Sequence, residues 1–168
     1  MLFRSLIMQI IERVKRKVVW TVEKWNTEDF KAGKKPYEIM EFQGNCLLNE
    51  GMDNLCTLIC GGAGTAWSTG AYLGVGDSSA AEDPAQTGLQ GGSKTFVAMN
   101  GGYHTYGSSN QAVWQSDFGN GVGEHDWQEF TVSSSSDDNG INLNRKIQNV
   151  GVKGSGKTWR LTLTITFS

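Results

Sequence analysis

The chain has 168 residues, a length suited to a single domain with its own hydrophobic core. Its formal net charge is −2 and 19% of its residues are charged, which excludes a body that binds nucleic acid, because phosphate contacts require a concentrated basic surface. With 22 Gly, 2 Pro and 38% hydrophobic residues, the composition predicts many tight turns between short strands.

The first residues have the spacing of an amphipathic helix with one apolar stripe. The stripe consists of Leu2, Phe3, Leu6, Ile7, Ile10, Ile11 and Val14. A basic run from Arg13 to Lys17 follows, so we predict an N-terminal amphipathic basic arm over 1–17 and one domain over 18–168. The stripe can be buried on its own domain, on a neighbouring subunit, or on a membrane surface or nucleic acid. We predict that these seven residues bind a neighbouring protein subunit. Neither a membrane nor nucleic acid is predicted as a partner.

The N-terminal run and the cysteines indicate synthesis in a reducing interior. The apolar run is broken by charges and has no small-residue cleavage site, so neither a signal peptide nor a transmembrane helix is predicted. Cys46, Cys56 and Cys60 are odd in number and clustered, unlike a secreted disulfide framework. Cys56 and Cys60 are predicted to be buried small hydrophobes rather than a metal pair, because no further ligand lies near them in sequence.

Most of the remaining chain alternates as β-strands do. Strands are predicted at Val18–Val22, Ile39–Phe42, Tyr72–Val75, Thr95–Met99, Val113–Phe118, Trp127–Val132, Leu143–Val150 and Trp159–Phe167. One internal helix, over about 46–60, is predicted between Asn45 as N-cap and Gly61-Gly62 as the stop. The predicted fold class is therefore mainly β, an antiparallel β-sandwich or jelly roll with an N-terminal helical arm.

Residues 151–158, GVKGSGKT, match the phosphate-loop pattern but precede a strand instead of a helix. A phosphate site needs the helix N-terminus, so nucleotide binding is only a remote alternative. The simplest prediction is a hairpin turned by Gly154-Ser155-Gly156, with Lys157 as a solvated edge charge.

Other residues with catalytic or ligand-binding chemistry lack a supporting pattern. Glu124-His125-Asp126 with Glu129 is interpreted as scattered surface charge. Asp77, Glu82 and Asp83 lack the spacing of a calcium loop. The six tryptophans are predicted to fill the core or anchor an interface. No catalytic residue, cofactor or metal is therefore predicted, and we expect the protein not to be an enzyme.

Five segments together resemble small virion proteins encoded among the structural genes of tailed bacteriophages. They are GNCLLNEGMDNLCTLICGG at 44–62, AYLGVGDSSAAEDPAQTGLQG at 71–91, FVAMNGGY at 96–103, DWQEFTV at 126–132, and the run from 141 to 168. The resemblance covers about Val18 to Ser168 and leaves the arm unmatched.

The resemblance implies a structural protein that decorates or cements the outer surface of the phage head, made in the bacterial cytoplasm. The implied partners are the major capsid protein and further copies of this chain, with a trimer favoured. A tail- or neck-associated fibre or adaptor module is the alternative. In that case the loops Tyr103–Asn110 and Ser133–Asn139 would bind host glycans.

Overall fold

A computed structural model describes residues 15–168, so the predicted stripe from Leu2 to Val14 lies outside the described residues. The strands are β1 Arg16–Asn26, β2 Glu38–Gln43, β3 Cys46–Leu47, β4 Tyr72–Gly76, β5 Lys94–Ala98, β6 Thr105–Tyr106, β7 Gln111–Phe118, β8 Asp126–Ser133, β9 Asn144–Val152 and β10 Lys157–Phe167. The helices are α1 Thr27–Lys31 and α2 Asn49–Ile59, with a 3-10 turn at Ser108–Asn110. The described residues are therefore mainly β, as predicted.

The strands form two antiparallel five-stranded sheets. The first has the order β2-β1-β10-β7-β6, and the second has the order β3-β9-β8-β4-β5. Side chains from both sheets share one buried cluster, which includes Trp20 and Leu161 from the first sheet and Leu73 and Phe130 from the second. The two sheets therefore pack face to face in a sandwich-like arrangement.

The long pair β1–β10 forms the centre of the first sheet. The two strands stay in register from Arg16 opposite Phe167 to Asn26 opposite Lys157. Along β10, Leu161, Leu163 and Ile165 are buried and alternate with threonines that are less buried. This is the period-2 pattern of the sequence, and it places one apolar face of β10 against the second sheet.

All six tryptophans are buried, at 7% exposure or less, as predicted. Five of them belong to the core cluster between the sheets, whereas Trp25 packs edge-to-face on Phe30 of α1, with ring centroids 5.2 Å apart. Trp127 lies at the centre of the aromatic group, with its ring centroid 4.7 Å from that of Phe118, 5.0 Å from that of Trp159 and 6.2 Å from that of Phe130. The edge-to-face geometry of these pairs adds to the stabilisation from burial of their area.

All eight predicted strands are present, and several extend further than the pattern indicated. β1 begins at Arg16 and not at Val18, because its ladder with β10 runs to the end of that strand. Two-residue strands β3 and β6 and helix α1 were not predicted. Elements this short carry too few residues for a period to be detected.

Helix α2 begins later than predicted. Cys46 and Leu47 pair with β9, so the helix starts at Asn49 with Leu48 as N-cap, and Asn45 is not the cap. The predicted stop is confirmed at Gly61, which has a φ of 72°. The Gly61 N–H bonds to the Leu58 carbonyl and the Gly62 N–H bonds to the Thr57 carbonyl, which is the Schellman arrangement.

A β-bulge in β8 breaks the strict alternation of its side chains between the two faces of the strand. The strict alternation put Trp127 with Glu129 and Thr131, opposite Phe130. The register with β9 shifts between Trp127 and Glu129, so Trp127 and Phe130 both face the shared core. Glu129 and Thr131 lie on the other face, yet both are 0% exposed.

Candidate functional site

The GVKGSGKT segment is not a hairpin. β9 belongs to the second sheet and β10 to the first, so Gly154-Ser155-Gly156 carries the chain from one sheet to the other. Gly156 has a φ of 73°, which glycine adopts without strain. β10 is also a central strand, so Lys157 is not an edge charge as predicted. The sequence alternation around this segment indicates two strands and a turn. It does not indicate that β9 pairs with β3 and β8 while β10 pairs with β1 and β7.

Backbone and side-chain groups of this segment are bonded within the protein. Gly156 N–H donates to Asn120 Oδ1 at 2.6 Å, and its carbonyl accepts from Thr27 N–H at 2.8 Å. Lys153 is fully buried and donates from Nζ to the Gly119 carbonyl at 2.8 Å, and burial lowers its pKa. Lys157 Nζ donates to Asn26 Oδ1 at 2.6 Å. These hydrogen bonds therefore hold in place the connection that carries the chain from the second sheet to the first.

We expect the two lysines of this segment to behave differently when replaced. Lys153→Ala removes a buried stem and its bond to a carbonyl, and should lower the free energy of unfolding by about 1–3 kcal/mol. Lys157→Ala should cost at most about 0.5–1 kcal/mol, because it loses a half-exposed contact with the Tyr37 ring and one hydrogen bond. Urea unfolding of both variants measures the difference.

Nucleotide binding can be tested on the native chain and on Lys157→Ala. Millimolar ATP or GTP should leave the melting temperature of the native chain unchanged, whereas a ligand at 100 times its dissociation constant would add about 2.7 kcal/mol. A nucleotide-dependent rise that Lys157→Ala abolishes would contradict the structural interpretation of the segment.

Glu129 is the carboxylate that the sequence interpretation misplaced. It is not a surface charge but a fully buried group, and Arg145 donates to it from Nε at 2.7 Å. The backbone N–H groups of Gln90 and Gly91 also donate to Glu129, at 2.7 to 3.0 Å. Arg145 in turn reaches the Ala80 carbonyl at 3.0 Å. This ion pair therefore ties the β4–β5 connection, 77–93, to the second sheet.

The other acidic side chains on that connection have similar structural partners. Asp77 Oδ1 accepts the Ser93 N–H at 3.0 Å, and this contact lowers the Asp77 pKa. Glu82 Oε1 accepts the Ile147 N–H at 2.6 Å. Among residues 15–168, no group of three or more His, Cys, Asp or Glu side chains could hold a metal ion. Asp77 is therefore an acceptor for backbone within the connection, whereas Glu82 is an acceptor for the backbone of β9.

The prediction of buried thiols is wrong for α2. Cys56 and Cys60 are exposed, while Cys46 is half-buried and burial raises its pKa. The inward side of α2 carries the buried Gly51 and Asn54 and the partly buried Met52, Leu55 and Leu58. The two thiols are exposed because they lie off this covered side.

The inward face of α2 forms one wall of an open apolar cavity of about 560 Å³. The opposite wall is the end of the first sheet, where Val18 pairs with Ile165, Ile165 with Ala112, and Ala112 with Tyr106. The remaining lining comes from Arg16, Leu47, Ala66, Trp67, Ser68, His104, Trp114, Leu143 and Phe167. The cavity therefore lies where α2, rather than a strand, faces the first sheet.

Two tryptophans keep the cavity wall apolar by turning their polar groups into the protein. Trp114 Nε1 donates to the Trp67 carbonyl at 2.9 Å, and Trp67 Nε1 donates to the Ile141 carbonyl at 2.8 Å. Asn54 on α2 holds the adjoining loop by two bonds to the Thr65 backbone, at 2.8 and 2.9 Å. The polar groups of these three side chains are therefore satisfied within the protein, and the two indoles leave apolar surface to contact a ligand.

The entrance of the cavity is apolar and lies where the described chain begins. Tyr106 is 76% exposed and Phe167 is 44% exposed, and both line the cavity. Lys15 and Ser168 exchange two backbone hydrogen bonds, at 2.7 and 2.8 Å, beside the Arg16–Phe167 pair. The predicted stripe ends at Val14, directly before this point. Sequence periodicity found the stripe but could not find the cavity, because its walls come from distant segments.

The described residues define a mainly β protein of two packed sheets with an open apolar cavity at one end. A scan against protein-family models and searches of curated proteins and solved structures found no match. Within residues 15–168, neither helix is long and apolar enough to cross a bilayer.

Proposed function

We propose that this chain is a structural protein of tailed-bacteriophage virions that decorates and stabilises the assembled head. The observation that carries the proposal is the open apolar cavity beside the attachment point of an amphipathic segment. Exposed apolar surface of this kind marks sites of protein–protein interaction. The resemblance of Val18–Ser168 to virion proteins of tailed bacteriophages is the reason for proposing that the partner is part of a phage particle.

Binding to the assembled shell explains how such a protein stabilises a capsid. A ligand that binds the assembled state and not the free subunits shifts the equilibrium toward assembly. In this proposal the partner is the major capsid protein, and the protein works as a closed homo-oligomer, a trimer by preference, on the outer surface of the head. Its action needs protein contacts alone, without catalysis or a cofactor. We also propose that the body is a β-sandwich or jelly roll and that the arm is helical.

Deleting residues 1–14, which leaves the β1–β10 ladder and the Lys15–Ser168 bonds intact, should strongly reduce occupancy on purified capsids, because the proposed arm holds the protein to a neighbouring subunit. The measurement is quantitative electrophoresis of capsids after incubation with the truncated or the full-length protein. A matched control replaces the seven stripe residues with polar ones of helical propensity, which keeps the length of the arm.

Both variants should lose occupancy while retaining the unfolding transition of the body. Undiminished binding of either variant would eliminate the arm as the docking element.

A tail or neck module that binds host glycans is the second candidate. One observation favours it: in the loop Tyr103–Asn110, the His104 and Tyr106 rings stack with centroids 5.3 Å apart and an interplanar angle of 14°. Tyr106 is largely exposed, and exposed aromatic rings offer the flat apolar surface on which sugars stack. The second loop, Ser133–Asn139, is bonded mainly within itself. Binding of the isolated protein to host polysaccharide, lost in Tyr106→Ala, would favour this candidate.

A further inference from the structure

We infer that the apolar cavity between α2 and the end of the first sheet is the docking site for the arm, Leu2 to Val14, of a second copy of this chain. The inference deepens the homo-oligomer in the proposed function and rests on the arm's proposed role in docking. It does not depend on whether the oligomer is attached to a virion. Each copy would both donate an arm and receive one.

The chemistry of the two surfaces matches. The cavity is lined by aliphatic side chains such as Met52, Leu55 and Ile165, with the indoles of Trp67 and Trp114. The arm carries an apolar stripe whose spacing suits the helix-in-groove mode, in which anchors recur at three, four and seven residues. The cavity volume of about 560 Å³ lies within the range of protein binding pockets, and it admits several anchors rather than a whole helix.

The residues at the base of the arm lie beside the cavity. Arg16 lines the cavity, and Lys15 is bonded to Ser168 at its entrance. Every copy therefore has the base of its arm next to the opening of its cavity. When two such ends face each other, or three meet around an axis, each arm can reach the adjacent opening. A closed ring of this kind leaves no apolar stripe exposed.

The sequence at the base of the arm favours a neighbour's cavity over the chain's own. To enter its own cavity, the chain would have to reverse between the end of the stripe at Val14 and the start of the ladder at Lys15. Between residues 6 and 25 there is no Gly, Pro, Asn, Asp or Ser, the residues that tight turns use most. Exchange of an identical element between copies requires no such turn.

Disulfide trapping in the purified protein tests this inference. In a background with Cys46→Ala, Cys56→Ser and Cys60→Ser, one variant carries Leu6→Cys on the stripe and Ala66→Cys on the exposed part of the cavity lining. The matched control replaces Gln9, on the polar side of the arm, in place of Leu6. Both are oxidised at low concentration and separated by electrophoresis without reductant.

We expect covalent multimers from the Leu6 variant and at least tenfold fewer from the Gln9 control. An intrachain disulfide, seen as a faster monomer and confirmed by peptide mass, would show that the arm occupies its own cavity and would overturn the inference. Equal trapping of both variants, or trapping of neither, would also overturn it.

Solution mass provides a second measurement that does not require cysteine chemistry. The full-length chain should form an oligomer by light scattering, and the double variant Leu6→Asp with Ile10→Asp should be a monomer. Gln9→Asp should keep the oligomeric mass. An oligomer that survives the double substitution would contradict arm exchange. Because all of these measurements use purified protein, their failure is distinguishable from failure of the protein to bind a capsid.

Discussion

Arg145→Met should lower the free energy of unfolding by about 3–5 kcal/mol, because it leaves the Glu129 carboxylate buried without its cation. Both side chains of this pair are 0% exposed. The substitution also removes the bonds that Arg145 makes to the Ala80 and Ala81 carbonyls, at 3.0 and 3.2 Å. The 77–93 connection should therefore loosen as well. Urea unfolding gives the free energy, and amide hydrogen exchange reports the connection.

Arg160 supplies the matched control for this experiment. It also pairs with a carboxylate, Asp117, through Nε at 2.6 Å and Nη2 at 2.9 Å, but both partners are about a quarter exposed. Arg160→Met should cost about 1 kcal/mol or less, as partly exposed ion pairs do. Adding Glu129→Leu to Arg145→Met should recover part of the loss, because the double variant buries no unpaired charge. If Arg145→Met and Arg160→Met lowered the free energy of unfolding equally, the buried Arg145–Glu129 pair would not have the stabilising role described for it.

Trp127→Ala should destabilise the body by about 3–5 kcal/mol, the cost of removing a large aromatic side chain from a packed core. Trp127 is 0% exposed, and its ring contacts aromatic rings from β7, β8 and β10. Its Nε1 donates to the Gly123 carbonyl at 2.9 Å, so the variant also leaves that acceptor without its partner. Thermal and urea unfolding should both show the loss.

Tyr37→Ala is the control for the aromatic substitution. Tyr37 is 53% exposed, and its loss should change stability by no more than about 0.5–1 kcal/mol. If Trp127→Ala were as mild as Tyr37→Ala, the two sheets would not share the core described for them.

Strand positions followed from the sequence because alternation records which side of a strand is buried. β10 shows this most clearly, with Leu161, Leu163 and Ile165 buried between threonines. Alternation carries no information on which strands pair. For this reason the segment before β10 was predicted as a hairpin, although its two strands belong to different sheets. Pairing depends on contacts between distant segments, which a single sequence does not display.

Glu129 shows a second limit of the sequence pattern. A charged residue in a strand normally indicates the solvent face, but the 77–93 connection covers the outer face of the second sheet here. The bulge after Trp127 adds an irregularity that a strict period of two misses. The exposed thiols of α2 were mispredicted for a related reason, because Cys is usually buried and only the tertiary packing decides which helix face is covered.

The candidate site was half predictable. The apolar stripe of the arm is visible in the sequence, because its residues are close together and periodic. The cavity is not visible there, since its walls combine β1, α2, β7 and β10 with the 66–68 loop. The proposal thus joins a local sequence pattern to a surface that only the fold assembles.

The most direct test of the proposed function is the number of copies of this protein in purified virions of a phage that encodes it, measured by quantitative electrophoresis against the major capsid protein. A head decoration protein should be present in a fixed, high ratio to the capsid protein, set by the symmetry of the shell. A few copies per particle would instead assign it to the neck or tail. Absence from purified particles would contradict the account.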